Sequence, residues 1–314
     1  MRAWHFVGTH KPFERVDIEE PTAGPGNVVI DVKAAGLCHS DVGILEDEKW
    51  LANMKELPVV PGHETAGVIS EVGEGVTDWK VGDRVAVWPM LGQGYSVNGA
   101  WEDRSEVSTE TLVAIPDDVS FAQAAAATDA GMTSVGALTT AGVEKGMKVG
   151  IIGFGGLGQI GARVAHLRGA EVYVAEINES AWDRAREAGA VKVAKSITEF
   201  ADVELDVIID YAGFGVTTSD ALDTVKSSGG GRVVQVGMGK LETTIDTYGL
   251  ILGRKQLHGS AGGSKEDIEE TMRYMASGDL TPVLSEIDFE QIPDGIQQLI
   301  DGTAVGRLVA KVTD

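Results

Sequence analysis

Apolar and polar positions fall into two textures along the chain. Up to about residue 120, apolar residues come in short runs broken by glycine and proline. Val28–Ala34 is bounded by Ala23-Gly24-Pro25-Gly26, Ala66–Val72 is closed by Gly73-Glu74-Gly75, and Asp83–Val87 starts after Gly82. Short apolar runs between turn residues predict strands, and together they predict a compact β-rich domain. After Ser120 the texture changes. Phe121–Ala141 is alanine-rich and compatible with helix. Strand-like runs at Lys148–Gly153, Glu171–Ile177, Val207–Asp210 and Arg232–Val236 then alternate with helix-compatible segments at Gly158–Arg168, Ser180–Ala188 and Thr218–Lys226. That alternation predicts parallel βαβ units. A helix at Lys265–Ala276 and a strand at Leu308–Val312 follow, and this tail is expected to rejoin the first domain. The expectation is an α/β protein of two domains. Residues 1–130 and 261–314 form a β-rich domain, and residues 131–260 form a doubly wound parallel sheet.

Length and charge narrow the partners. A chain of 314 residues is long enough for two domains with separate cores. A nucleic-acid binder needs basic patches, so the net charge of −22 argues against one, and it argues equally against docking on an anionic membrane. The single cysteine, Cys38, cannot form an intramolecular disulfide and suits a reducing cytoplasm. Met1–Phe6 lacks the apolar run of a signal peptide, and no stretch approaches the length of a membrane span.

The second domain carries Gly153-Phe154-Gly155-Gly156-Leu157-Gly158 directly after a predicted strand and at the start of a predicted helix. Glycines there allow a tight turn and a close approach of backbone to a pyrophosphate, while the helix N-terminus presents N–H groups to the anion. An acid is expected about 20 residues on, and Glu176 ends the next strand-like run, beside Ile177. A carboxylate there accepts the ribose hydroxyls of NAD and repels the 2′-phosphate of NADP. NAD is therefore the predicted cofactor, with Arg184 and Arg186 further on as groups that could soften the preference.

In the first domain, Gly36-Leu37-Cys38-His39-Ser40-Asp41 and Pro61-Gly62-His63-Glu64 each admit a plain structural reading. With the dinucleotide motif, Val81-Gly82-Asp83-Arg84-Val85, Thr128-Asp129-Ala130-Gly131-Met132-Thr133 and Gly306-Arg307, they resemble, in order and over essentially the whole chain, the zinc-containing medium-chain dehydrogenase/reductase family. The resemblance implies a GroES-like catalytic domain and a Rossmann domain. It implies that Cys38, His63 and Asp129 hold a catalytic zinc. Asp at the third place is similar to a branch of secondary-alcohol dehydrogenases. Glu64 would tune or transiently join the metal, and Ser40 would bond the substrate oxygen and pass its proton on. His39 and Arg307 would lie near the cofactor pyrophosphate, Thr133 near the nicotinamide, and Trp50 and Trp88 at the substrate pocket.

The implied activity is hydride transfer between NAD(H) and a small alcohol/carbonyl pair, with a secondary alcohol and ketone favoured, in a homodimer or homotetramer. A reductase of enones or quinones from the same superfamily is the alternative, and a non-catalytic NAD-binding protein a remote one. Two departures stand out. The lobe with four cysteines that carries a second zinc in many members is absent, since only Trp88–Asn98 separate Val87 from Gly99-Ala100-Trp101. One zinc per chain is expected. The position five residues after Cys38, a relay histidine in some members, is Gly43.

Overall fold

The computed structural model describes residues 1–313. The strands begin where the apolar runs predict them. The first stretch of chain contains β1 (Arg2–His5), β2 (Glu14–Asp17), β3 (Asn27–Leu37), α1 (His39–Glu46), β4 (Thr65–Val72), β5 (Arg84–Val87), β6 (Arg104–Ser108), β7 (Leu112–Ala114) and α2 (Phe121–Ala126). The alternating stretch runs α3 (Met132–Ala141), β8 (Lys148–Ile152), α4 (Gly156–Leu167), β9 (Glu171–Ala175), α5 (Trp182–Glu187), β10 (Ala190–Ala194), β11 (Val207–Asp210), α6 (Val216–Thr224), β12 (Arg232–Gln235), α7 (Thr247–Leu252) and β13 (Gln256–Gly259). The last elements are α8 (Lys265–Ala276), β14 (Leu284–Asp288), α9 (Ile292–Ile300) and β15 (Arg307–Lys311).

Two compact units result, Met1–Asp129 with the chain from Ile268 on, and Ala130–Asp267. In the first, a seven-stranded sheet has the order β14-β15-β3-β4-β5-β7, with β6 also paired to β3. The long β3 runs antiparallel to β4, β6 and β15. Its ladder with β4 shifts register between Val29 and Ile30 and again between Val32 and Ala34. Such irregularities bend and twist a strand, which lets β3 serve several partners along its length. Val28, Ile30, Val32 and Leu37 enter a core with Phe6, Trp101, Phe289 and Ile296. Helix α9 contributes to it by helical spacing, burying Ile292, Ile296 and Leu299.

In the second unit six parallel strands have the order β10-β9-β8-β11-β12-β13. This is the doubly wound Rossmann arrangement. The strand order reverses between β8 and β11, the place where such sheets bind ligands beyond their strand ends. The glycine motif follows β8 directly. Helix α4 buries Ile160, Val164 and Ala165 on one face, and Ile152, Tyr173, Phe200, Ile208 and Val233 pack in one core cluster. No helix among the described residues is long and apolar enough to cross a membrane.

The alanine-rich stretch differs from the uniform helix its composition predicts. Between α2 and α3 the chain makes one π-helical turn, Ala127–Gly131. Alanine propensity favours helix without choosing the hydrogen-bond register, and a π turn inside a helix commonly marks a functional position. Helix α4 also starts at Gly156 rather than Gly158, because the glycine turn itself supplies the first helical residues.

Candidate functional site

Three separated segments of the first unit bring four metal-ligating side chains together. Cys38, His63, Glu64 and Asp129 each offer one donor atom, and these atoms lie within 4.8 Å of one another. Cys38 ends β3 and opens α1, whose third residue, Asp41, turns back to accept the Cys38 N–H at 2.8 Å. That reciprocal contact is the spacing of a helix capping box, and it fixes the thiol at the start of the helix. His63 and Glu64 directly precede β4. Gly62 has φ +92, a left-handed value that glycine alone adopts freely, and a Cβ there would lie 2.6 Å from Trp101 Nε1. A Cβ on Gly36 would overlap the Glu64 carboxylate. The glycines in both motifs are thus steric requirements of the cluster. Asp129 comes from the π turn.

The electrostatics favour a cation. Glu64 is 0% exposed and Arg307 4%. Arg307 pairs with Glu64 and, at 2.5 Å, with Asp129. Glu64 Oε2 still has no hydrogen-bond donor. A fully buried carboxylate with an oxygen left unmet is costly unless a charge answers it. A thiol, an imidazole and two carboxylates against one guanidinium form a donor set suited to a borderline cation such as zinc.

His63 shows which nitrogen faces the cluster. Its Nε2 lies 3.4 Å from Ser40 Oγ and 3.7 Å from Asp129 Oδ2, whereas Nδ1 lies 3.4 Å from Asp41 Oδ1 and 3.3 Å from Tyr95 Oη. Burial opposes charge on the ring, but Tyr95 and the carboxylates of Asp41 and Asp129 outweigh it and hold its pKa well above the ordinary value. Asp41 is 1% exposed, so this is a buried carboxylate–histidine pair of the kind that orients metal-binding imidazoles.

One residue at this site carries no motif signal, Tyr95, and it sits with Trp50, which the family resemblance places at the substrate pocket. Tyr95 stacks on His63 with ring centroids 5.4 Å apart, and Trp50 stacks on Tyr95 at 6.3 Å. Burial raises the Tyr95 pKa, so its hydroxyl stays protonated. The indole of Trp50 occupies the space a side chain at position 43 would need, 2.6 Å from a Cβ built on Gly43. Asp41 did carry a signal, its capping distance from Cys38. Tyr95 depends on the path of the 88–98 segment, which periodicity does not reveal. His39 is exposed on α1. Partial desolvation of its ring against the neighbouring chain, and then the nearby Arg307 cation, lower its pKa. Trp88 lines a separate cavity, which none of the four donors reaches.

In the second unit the glycine motif has the geometry its chemistry needs. Gly153 has φ +85, and a Cβ on Gly158 would overlap the Gly153 carbonyl. A Cβ on Gly155 would meet nothing, so its backbone face is open. Helix α4 begins at Gly156 with no side chain capping its first N–H groups, as an anion-binding helix start requires. The Leu157 carbonyl accepts the Ser134 hydroxyl. Glu176 Oε2 accepts the Phe154 N–H at 2.7 Å and Oε1 the Asn178 N–H at 2.7 Å, which holds the carboxylate beside the glycine turn. Ile177 next to it is 83% exposed. Thr133 is buried near the start of α3.

Comparison with known proteins agrees with both units. Residues 24–117 match the alcohol dehydrogenase GroES-like domain, and residues 156–277 match the zinc-binding dehydrogenase domain. An alcohol dehydrogenase of Geobacillus stearothermophilus is 30% identical, over 96% of this chain and 97% of that protein. The structure of an acetophenone reductase from Geotrichum candidum in complex with NAD superposes with a TM-score of 0.88 at 27% identity, covering 99% of this chain and 96% of that one. An alcohol dehydrogenase of Aeropyrum pernix shares the fold, with a TM-score of 0.90 at 23% identity over 99% of this chain and 100% of that one.

Proposed function

The chain belongs to the zinc-type medium-chain alcohol dehydrogenase family, and from that premise we propose that it interconverts small secondary alcohols and ketones with NAD(H), using one zinc per chain held by Cys38, His63 and Asp129. The observation that carries this reading is the convergence of four donor atoms within 4.8 Å, in a chain whose second unit presents an open glycine turn and a carboxylate beside it. The family makes the chain an NAD-linked, zinc-dependent oxidoreductase. The secondary-alcohol preference is supported by the similarity to the acetophenone reductase and by Asp129 standing at the third ligand position.

When bound, zinc supplies Lewis acidity that lowers the pKa of an alcohol, and NAD supplies the hydride acceptor. The chain's own residues do the rest. Cys38, His63 and Asp129 hold the cation, with Nε2 of His63 as the ligating nitrogen because Asp41 and Tyr95 engage Nδ1. Glu64, fully buried and ion-paired to Arg307, is a fourth donor within reach. Ser40, its Oγ 3.4 Å from His63 Nε2, would hydrogen-bond the substrate hydroxyl and, as it accepts that proton, pass its own on to the cofactor ribose or to water. Glu176 selects NAD over NADP through the ribose hydroxyls. His39, Thr133 and Arg307 are assigned as cofactor contacts. Arg307 keeps a buried Nε without a hydrogen-bond partner, so its ion pairs leave donor capacity for a phosphate.

The limit of one zinc rests on Cys38 being the only cysteine, which removes any site of four thiolates. A reducing cytoplasm suits that free thiol, and a homo-oligomer is the assembly that goes with the family.

A panel of alcohols, ketones and enones followed by NADH absorbance, with NAD and NADP in parallel, tests the reading. Secondary alcohols turn over with NAD. Cys38→Ala and His63→Ala lose bound zinc and alcohol oxidation together. Reduction of enones without alcohol oxidation, or full activity in a zinc-free Cys38→Ala protein, overturns it.

A further inference from the structure

The first unit contains a cavity apart from the metal cluster, of about 450 Å³, walled in part by Trp88, Leu91, Gln93, Val97, Glu102 and Val107. Its volume is in the range of small-molecule sites, roughly 300–1,000 Å³. One wall is the 88–98 segment, the short stretch where the sequence lacks a four-cysteine lobe. No Lys, Arg or His side chain lines the cavity, whereas Glu19, Glu102 and Glu106 do. Glu106 already accepts the Gly24 N–H and the Asn27 amide.

Two buried polar groups give the cavity specific chemistry. Gln93 is 5% exposed. Its Oε1 accepts the Thr65 hydroxyl at 3.3 Å, and its Nε2 is buried with no hydrogen-bond partner. A half-turn of the amide exchanges nitrogen and oxygen and still leaves one of them unmet. Such a group is costly until a ligand or a water answers it. Glu102 is 2% exposed. Burial pushes its carboxyl up to about 8, Asp103 adding to the effect and the Ser105 hydroxyl opposing it.

These groups narrow the ligand class. An anion meets three carboxyl side chains, and the one cation at the wall, the Met1 ammonium, already donates to the Ile18 carbonyl at 2.7 Å. A neutral molecule satisfies the Gln93 amide but gains nothing from the acids. A primary ammonium on a short apolar body satisfies all of them. Its charge answers Glu102, an N–H reaches the Gln93 oxygen once the amide has turned, and its body lies against Leu91, Val97 and Val107. The net charge of −22 concentrates such cations at the surface.

We infer that this cavity is a binding site for a primary alkyl- or arylalkylammonium seated between Glu102 and Gln93. No bond is made or broken on binding. Near neutral pH one proton passes from Glu102 to solvent as the cation arrives. The inference is independent of the oxidoreductase reading.

Isothermal titration of the zinc- and NAD-loaded protein with 2-phenylethylammonium at pH 7, in two buffers of different ionisation enthalpy, tests it. N-(2-phenylethyl)acetamide is the neutral counterpart. Binding is expected at one per chain, with close to one proton released and the acetamide at least tenfold weaker. Glu102→Gln weakens the amine at least tenfold and abolishes proton release. Val97→Trp, at a position 49% exposed on the wall, blocks binding without entering the core. NAD-linked turnover is unchanged in both variants. Binding must also persist in zinc-free Cys38→Ser protein. The inference is overturned by no saturable binding at millimolar amine, by undiminished binding in both variants, by loss of binding with the zinc, or by a crystal of the amine-soaked protein with only a water against Gln93.

Discussion

Replacing Asp41 by Asn isolates what the buried carboxylate does for the metal ligands. Asp41 accepts the Cys38 N–H with one oxygen and faces His63 Nδ1 with the other, at 2.8 and 3.4 Å. An Asn keeps the first contact through its amide oxygen, so the start of α1 and the global fold survive. The second contact reverses. An amide NH2 toward Nδ1 favours the tautomer with the proton on Nε2, the nitrogen assigned to zinc. The lost charge acts in two directions. It weakens proton binding at His63, which helps a metal compete, and it weakens attraction for the metal itself. The metal term wins, because zinc carries twice the charge of the proton it displaces. Loss of a partner that orients a metal-bound His typically costs 10- to 100-fold in affinity, about 1.4–2.7 kcal/mol. A hydrogen bond to a charged group contributes about 1.5–3 kcal/mol, so two routes give the same size. Chelator competition at pH 7.5 should show zinc bound 10- to 100-fold more weakly by Asp41→Asn, with the far-UV spectrum of the metal-free protein little changed. Zinc affinity within threefold of the parent would refute this account of His63.

Two further outcomes follow from groups away from the cluster. Glu176→Gln should raise KM for NAD about tenfold and bring NAD and NADP closer together, because the Phe154 N–H loses a charged acceptor and the 2′-phosphate loses a repelling one; steady-state kinetics with both cofactors check it, and an unchanged ratio would remove Glu176 from cofactor choice. Glu102 carries a pH signature in stability. Its carboxyl is raised from 4.5 to about 8 in the fold, so its contribution is fully present below pH 4.5 and is lost as pH rises toward 8. Each pH unit in that window costs about 1.4 kcal/mol. Denaturant unfolding at pH 5 and pH 8.5 should show Glu102→Gln gaining up to roughly 4 kcal/mol on the parent between the two, and parallel pH profiles would contradict the burial argument.

The fold was legible where periodicity and turn chemistry agreed. Strand β4 follows its apolar run to within a residue, because Gly73-Glu74-Gly75 stops it and the alternating core positions demand it. Helix α8 spans the predicted Lys265–Ala276, with Ile268, Thr271, Met272 and Met275 buried at helical spacing. Composition was less informative at Phe121–Ala141. Alanine stabilises any helical turn, so nothing local marks where the ladder slips into a π turn at Asp129. The slip places the Asp129 carboxylate against His63 and Arg307, residues far away in sequence.

The site was legible as motifs and illegible as a mesh of contacts, and Gly43 shows why the difference matters. Read as one letter in a pattern, Gly43 is a missing histidine. In the fold, Trp50 packs its indole where any Cβ at position 43 would stand, and carries the stack through Tyr95 to His63. The glycine and the tryptophan are therefore one feature, seven residues apart in sequence and face to face in space. A histidine restored at 43 must first displace Trp50, which removes the ring supporting Tyr95, which in turn stacks on the imidazole assigned to zinc. Arg307 follows the same logic. Its motif marks it as a cation for a phosphate, yet its ion pairs with Glu64 and Asp129 tie it to the carboxylates of the metal cluster.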